Sequence, residues 1–471
     1  MKNHINPEVF DIYKKLTDQG YEAYFVGGCV RNLLMGLPVK DWDLTTNATP
    51  EQIQEVFPES FYDNSFGTVG VHLKQKELIS DDNSSDTVGV KVDSGTEKGY
   101  AEVTTFRTEK GYKDFRHPDA VSWGKTLDDD VKRRDFTVNA LALKFNGNKE
   151  EIIDLVQGRS DLDKKVIRAV GNPDERFKED ALRLMRAIRF ACQLGFEIEE
   201  ATFNSMKNDA SLIEHVSNER IRDELLKILS TPKAYDGIIL LDEIGILDII
   251  FPELLKGKGV SQARPGRHHT TDVFTHNVLS MKETPSNDPL VKFAALLHDV
   301  GKPYVVSADN EGYVIFYNHE VVGSKIAKEI AERFRFSKKD KEKIYTLIRW
   351  HMFTVDEHIT DSAIRRFIRR VGLENVKDMI DLRIGDRLGG GTQTAESWRL
   401  KKFKERLEEQ LHPPFSINDM AIDGNDIMEI LNLSPGRKIG EILQALFKEV
   451  DEDLSKNNRD YLISRLDSFK E

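Results

Sequence analysis

The stretch GGCVRNLLMGLPVKDWDLTT, positions 27–46, constrains this chain more than any other feature. The residues before it, Tyr21 to Val26, read as a strand that Gly27-Gly28 cuts short. Val39 to Leu44 alternates and reads as a second strand. Side chains at i and i+2 of a strand share a face, so Asp41 and Asp43 are expected to project together while Trp42 and Leu44 face a core. Two carboxylates so placed can grip a pair of divalent ions about 4 Å apart. Glycines at 27 and 28 let backbone N–H groups approach a phosphate closely. Phosphoryl-type transfer from a nucleoside triphosphate needs little more than positioning and charge neutralisation. An Asp-x-Asp alone is a weak signal; the whole string is far more specific.

The surrounding pattern alternates between strands and helices. Pro7 to Leu16 reads as a helix stopped by Gly20, and Thr49-Pro50-Glu51-Gln52 as a capping box with proline at the first helical position. Further strands are expected at Gly67 to Leu73 and Tyr100 to Phe106. Glu77 to Gly99, rich in Ser, Asp, Gly and Lys, reads as a solvated loop or hairpin. From Phe177 onward helical periodicity dominates, broken by Gly389-Gly390-Gly391 and His412-Pro413-Pro414.

At 471 residues the chain is too long for one ordinary core. With 39% hydrophobic and 31% charged residues it reads as soluble, and without a run of about 18 apolar residues a membrane partner is not expected. The stretch from Met1 to Asp18 lacks the layout of a secretory signal, and the two cysteines, Cys29 and Cys192, fit a reducing cytoplasm. A net charge of −12 argues mildly against a chain coated by nucleic acid. Local basic faces nevertheless occur at Arg183, Arg186 and Arg189, at Arg365, Arg366, Arg369 and Arg370, and at Arg399, Lys401, Lys402, Lys404 and Arg406.

The Gly-Gly-x-Val-Arg string followed by Asp-x-Asp strongly resembles the DNA polymerase beta superfamily, in the branch holding bacterial tRNA nucleotidyltransferases and poly(A) polymerases. The resemblance implies that Gly27, Gly28 and Arg31 contact a triphosphate and that Asp41 and Asp43 hold Mg2+. Asn32 departs from it, because relatives usually carry aspartate there. Glu102, five residues before Arg107, matches a third acid of the family; as a bare residue it reads equally as a strand-face charge. In RRDFTVNALAL, the resemblance gives ribose and triphosphate contacts to Arg133, Arg134, Asp135 and Asn139.

KEDALRLMRAIRF, positions 178–190, reads as a helix on which Asp180 and Arg183 point the same way. On the helix alone an ion pair between them is the simpler reading. The resemblance makes them the pair that reads the Watson–Crick edges of CTP and ATP. A carboxylate beside a guanidinium can satisfy cytosine or adenine and disfavours guanine and uracil. Arg186 and Arg189 are counted with the nucleotide site, as groups that hold neighbouring acids or backbone rather than the base. Phe106 to Trp123 is polar and complete relative to the family's flexible loop, which favours full CCA synthesis over addition of CC alone.

A second constellation runs His276, His298-Asp299, His319, His351 and Asp386. Neutral imidazoles with carboxylates suit transition metals, and an ion so held lowers the pKa of water for attack on phosphorus. The order His, His-Asp, Asp resembles the HD phosphohydrolase superfamily. That resemblance makes His276, His298, Asp299 and Asp386 ligands of an ion such as Ni2+, Mn2+ or Fe2+, with His319 and His351 at the extra positions of two-metal members. His268-His269 reads as a helix lead-in. Ile417 to Val450 resembles the tRNA-contacting C-terminal domain of Gram-positive-type CCA-adding enzymes, and its turn Pro435 to Lys438 is open between phosphate contact and plain structure.

The expectation is an α+β nucleotidyltransferase head, polymerase beta-like, over 1–157. A helical neck and body over 158–262, an HD domain over 263–410 and a tRNA-binding tail over 411–471 follow. The expected activity is template-independent CCA addition to tRNA with CTP and ATP. A poly(A) polymerase, or an HD phosphohydrolase or RNA-binding protein with a minor transferase role, is the alternative. Oligomeric state, HD activity and the role of Glu77 to Gly99 stay open at this level.

Overall fold

The structure, a computed structural model, describes residues 1–62, 67–73, 99–110, 120–124, 126–147, 149–262, 271–356, 359–411 and 416–469. Two compact units form, Met1–Ile250 and Phe251–Glu471. The first opens as a mixed α/β head; helices dominate the rest of the chain.

Among the described residues, nine strands belong to the head: β1 Ala23–Val26, β2 Asp43–Thr46, β3 Phe61–Tyr62, β4 Thr68–His72, β5 Tyr100–Thr105, β6 Arg107–Lys110, β7 Ala120–Trp123, β8 Ala142–Asn146 and β9 Lys149–Ile153. Seven of them make one sheet in the order β3-β4-β5-β2-β1-β8-β9. Every residue of β1 is buried, as a central strand covered on both faces requires. On one face the helix Pro7–Asp18 presses Tyr13 onto Phe25, ring centroids 5.2 Å apart. The Tyr13 hydroxyl both donates to the Phe145 carbonyl at 3.1 Å and accepts from its N–H at 2.9 Å. Tyr24 and Val26 point the other way and join Phe106, Leu127 and Val131. Thr49 and Gln52 form the expected capping box around Pro50.

Three expectations need correction. β2 begins at Asp43, so Asp41 stands before the strand, exposed, and does not share its pleat; Trp42 is nonetheless buried against Phe25. The helix expected over 178–190 is two helices, Pro173–Glu179 and Leu182–Leu194, and Asp180 sits between them with extended backbone, φ −144° and ψ 102°. An aspartate favours such a position because its side chain caps the next helix: Asp180 Oδ1 accepts from the Leu182 N–H at 3.1 Å. The span from Phe106 to Trp123 is a two-stranded ribbon, β6 paired antiparallel with β7, at its described ends. Residues 111–119, Glu77–Lys98, His268–His269 and His412–Pro414 lie outside the described residues.

In the second unit, Val273–Glu283, Pro289–Leu297, His319–Arg333, Lys338–Trp350 and Val376–Gly389 surround a common interior. The helix Val376–Gly389 lies so close to Val273–Glu283 that a Cβ at Gly385 would meet Thr284 Oγ1 at 2.1 Å and the Ser280 carbonyl oxygen at 2.5 Å. The last helices, Gly424–Leu431, Arg437–Glu452 and Arg459–Leu466, bury Ile427, Leu446, Val450 and Leu462 in their own cluster. Buried Asp451 ties them to the helix Asp361–Val371 through Arg365 at 3.0 Å and Arg369 at 2.8 Å. Two members of that basic face therefore have structural partners.

Gly385→Ala should cost about 1–3 kcal/mol by overpacking. Gly440→Ala, on the exposed face of Arg437–Glu452 with nothing within 4 Å of an added Cβ, should gain about 0.5–1 kcal/mol. Chemical unfolding of both variants beside the parent chain checks the opposite signs.

Candidate functional site

The head gathers its polar groups at one end of β2. Because β2 and β5 run parallel with Asp43 opposite Glu102, the two carboxylates occupy the same register on neighbouring strands. In a parallel pair such residues lie about 4.8 Å apart at the backbone and present their side chains to one face. Gly27, φ 77°, caps the helix Gly28–Met35 at its N-terminus. A Cβ there would meet an Arg134 Nη1 at 3.2 Å and Asp43 Oδ2 at 3.6 Å, so glycine keeps open a slot beside the acid. Exposed Asp41 flanks this end of the strand.

Around the slot runs a ladder of arginines, each held by a buried acceptor. Asp130, wholly buried, receives Arg133 Nε at 3.0 Å and Arg134 Nη2 at 2.8 Å. Asp135 accepts Arg186 at 2.5 Å, its own following N–H at 2.8 Å and the Asn139 amide at 3.3 Å. Burial pushes the Asp135 carboxyl up, but Arg186 outweighs it and brings it down to about 2. Arg189 pairs with buried Glu224. The notion that Arg186 and Arg189 hold acids thus holds for both.

Arg31 differs, because its direct partners are neutral: Asn139 Oδ1 at 2.5 Å and Asn32 Oδ1 at 2.9 Å. Burial lowers this guanidinium to about 10. Asn32, the departure from the family pattern, orients Arg31 without neutralising it, and donates to the Pro38 carbonyl at 3.0 Å. A buried cation among neutral acceptors favours an anion nearby.

Asp180 and Arg183 make no ion pair with each other among the described contacts. Asp180 accepts Arg220 at 2.9 Å, while Arg183 binds Glu179 at 2.6 Å and the Arg133 carbonyl at 2.9 Å. The pair therefore leans on the arginine ladder rather than on itself. Sequence reasoning passed over Asp130, Arg220 and Glu224. For Asp130 and Glu224 the signal was there: a lone acid at helical spacing on an apolar face, Leu127-Asp130-Val131 and Ile221-Glu224-Leu225-Ile228.

In the second unit the expected ligands converge. His276, His298 and Asp299 bring donor atoms within 4.8 Å of one another, and so do Asp299, His319 and His351, all buried. Asp386 completes the first group, 3.2 Å from His276 Nε2 and 3.6 Å from His298 Nε2. His298, His319 and His351 each place Nδ1 at 2.7–2.8 Å from the carbonyl three residues upstream. A carbonyl only accepts, so Nδ1 carries the proton and Nε2 turns its lone pair inward. The buried Nε2 of His298 makes no hydrogen bond, although Asp299 Oδ2 is 3.3 Å away. Inward lone pairs facing carboxylates call for a cation at their centre, and this donor set fits a transition metal. A proton on His298 Nε2 can serve as that cation: burial lowers this ring, but Asp299 and Asp386 outweigh it and raise it to about 10, whereas His351 goes down through burial. Asp299 is held well below the usual carboxylate range despite its burial by His298 and Lys302, and Lys302 also donates to Gln262 at 2.5 Å. Lys302 was another group missed in the sequence.

Comparison with known proteins assigns three regions of the chain. Residues 23–168 match the poly A polymerase head domain, 195–257 the probable RNA and SrmB-binding site of polymerase A, and 268–388 the HD domain. The matched head and HD regions define a nucleotidyltransferase joined to an HD unit. The CCA-adding enzyme of Ligilactobacillus salivarius is 32% identical over 455 residues, covering 96% of this chain and 94% of that one. That of Limosilactobacillus reuteri is 45% identical over 227 residues, 47% of this chain and 50% of the relative. The crystal structure of the Bacillus stearothermophilus CCA-adding enzyme in complex with CTP superposes with a TM-score of 0.67 at 26% identity, covering 99% and 98% of the two chains. The chain belongs to the CCA-adding enzyme family.

Saturating the His–Asp cluster with Mn2+, Ni2+ or Fe2+ at about 100 times its Kd should stabilise the second unit by about 2.7 kcal/mol. Thermal unfolding with each ion reads the shift, which Asp299→Ala should remove. An unshifted parent chain with all three ions would rule the cluster out as a metal centre.

Proposed function

We propose that this chain adds C, C and A in turn to the 3′ end of tRNA, without a template, from CTP and ATP. The observation that carries the reading is the register of Asp43 with Glu102 beside the diglycine helix start. The family's name and the CTP complex of the Bacillus relative supply substrate and product. No described helix is long and apolar enough to cross a membrane.

In this reading Asp41 and Asp43 hold Mg2+, and Glu102 is the third acid. All-oxygen donors suit that ion, which when bound neutralises the triphosphate and makes the RNA 3′-hydroxyl a better nucleophile. The backbone N–H groups at the start of Gly28–Met35 receive phosphate oxygens, with Arg31 contributing a nearby positive charge. Arg133, Arg134, Asp135 and Asn139 shape the ribose and triphosphate side, Arg133 and Arg134 being fixed by Asp130. Asp180 and Arg183 meet the base edge, with Arg220 and Glu179 as the partners they exchange for it. Positions 1–157, 158–262 and 411–471 then serve as head, neck with body, and tRNA-binding tail. Positions 263–410 form an HD phosphohydrolase for 2′,3′-cyclic or 2′-phosphorylated RNA ends, with Ni2+, Mn2+ or Fe2+ as its ion. Bound there, that ion lowers the pKa of water, while the Nδ1–carbonyl bonds of His298, His319 and His351 keep their rings aimed.

A tRNA transcript lacking its terminus, given CTP and ATP, should gain three nucleotides, and with CTP alone two. Replacing Asp41 and Asp43 by alanine should lower incorporation on the order of 10²–10³-fold or more. A product with only adenosines would instead mark a poly(A) polymerase, and undiminished elongation by the double variant would remove the proposed site. For the HD unit, adenosine 2′,3′-cyclic phosphate with Ni2+ or Mn2+ should be hydrolysed by the parent chain and not by Asp299→Ala.

A further inference from the structure

The helix Val376–Gly389 that carries Asp386 also carries Arg383 and Arg387, four apart and therefore on one face. Both line a cavity of about 410 Å³, whose other walls are Val355 and the start of the helix Trp398–Gln410, from Ser397 to Leu400. Three guanidiniums face this space, the third being Arg399. No carboxylate is among its described lining residues.

The three cations differ in what already holds them. Arg383 donates to Asp386 Oδ2 at 3.2 Å, so its charge is shared with the His–Asp cluster. Arg387 reaches only neutral acceptors, the Thr394 carbonyl at 3.1 Å and the Thr394 hydroxyl at 3.4 Å. Arg399 rests against its neighbour Trp398, 5.4 Å from the ring centroid, and has no carboxylate partner among the described residues. Glu396, the acid just before Ser397, is committed to Lys404 at 2.6 Å. Within the basic run from 399 to 406, Lys404 and Arg406 thus serve the fold, Arg406 through Asp361, while Arg399 is left to the cavity. The helix start adds charge of the same sign, because its first turn holds no acid to offset the dipole. Trp398 is 56% exposed despite its large apolar ring. Guanidinium forks beside an open aromatic face suit a single-stranded nucleic acid, whose phosphates meet the forks while its bases stack on the ring. An acidic peptide would satisfy the charge but leave the indole without a planar partner.

We propose that this cavity binds a stretch of single-stranded RNA, with a backbone phosphate on Arg387 and Arg399 and an adjacent base on Trp398. Arg383 stays with Asp386 and contributes only its field. The phosphate is an internal one of the strand, so the site competes for no group that the His–Asp cluster would take, and binding needs no hydrolysis there. The choice of RNA as the strand rests on the reading of the chain as an enzyme of tRNA ends.

The test is binding of a fluorescein-labelled decauridylate to the full chain, without CTP, ATP or metal, over a range of salt concentrations. RNA contacts elsewhere in the chain persist in every variant, so the readout is the difference from the parent. Arg387→Gln/Arg399→Gln should weaken binding about tenfold and flatten the slope of log K against log salt by about 0.7, the value for one single-strand phosphate. Trp398→Ala should weaken it about fivefold or more with the slope unchanged, as lost stacking does. Thermal unfolding checks that each variant is folded. Arg399→Gln alone, whose side chain has no partner but Trp398, replaces the double variant if that one is not. Parent-like affinity in the arginine variant or in Trp398→Ala overturns the site. Displacement of the RNA by equimolar decaglutamate or inorganic phosphate overturns it in favour of an acidic peptide or a free anion. Should the parent chain add no nucleotide to tRNA, the transferase reading falls, while this titration still decides the site.

Discussion

A carboxylate taken out of water must find positive charge, and that single requirement organises both units. Burial disfavours the charged form of Asp130, Asp135, Asp299 and Asp386, yet each is held ionised, below the ordinary carboxylate range, by cations brought from other elements or other turns. In the head those cations are arginines, so satisfying the acids also fixes the guanidiniums around the slot at Gly27. In the second unit they are imidazoles and Lys302, so satisfying the acids draws five separate chain segments to one point. The same logic fastens the tail helices through Asp451.

Much of this was legible from residue order. The helix Pro7–Asp18, the capping box at Thr49 and the strands bearing Phe25, Val69 and Val103 follow from local preference and alternation, which tertiary contacts here only reinforce. The His–Asp cluster was legible because histidines and aspartates placed in a fixed order have few structural uses in common. What residue order obscured is local geometry decided by distant partners. Asp180 lies in a stretch with unbroken helical periodicity, and only the Leu182 N–H and Arg220, forty positions away, reveal that the helix stops there. Asp41 likewise fits an alternating pattern that the sheet takes up only from Asp43. The acids that support the arginine ladder look, in one dimension, like solvated charges.

The comparison of Arg31 with its neighbours shows why one substitution in a motif need not disable it. Asparagine at 32 keeps the oxygen that the guanidinium needs and drops the charge, leaving a buried cation whose nearest acceptors are neutral. The surrounding fold supports that choice: Asp135, the acid whose charge acts on Arg31, is already committed to Arg186.

The break at Asp180 has a mechanical consequence. Arg183 belongs to a regular helical turn and is carried wherever that rod goes, whereas Asp180 stands at an extended joint whose N–H reaches the Arg176 carbonyl only at 3.4 Å while its own carbonyl receives the Arg183 N–H at 2.9 Å. Rotation of the Asp180 side chain would re-aim its carboxylate away from Arg220 while the rod stays still. If this pair meets the base edge as proposed, one arm is jointed and the other rigid, and a receptor that must greet two differently shaped guests in succession would need only the jointed arm to move.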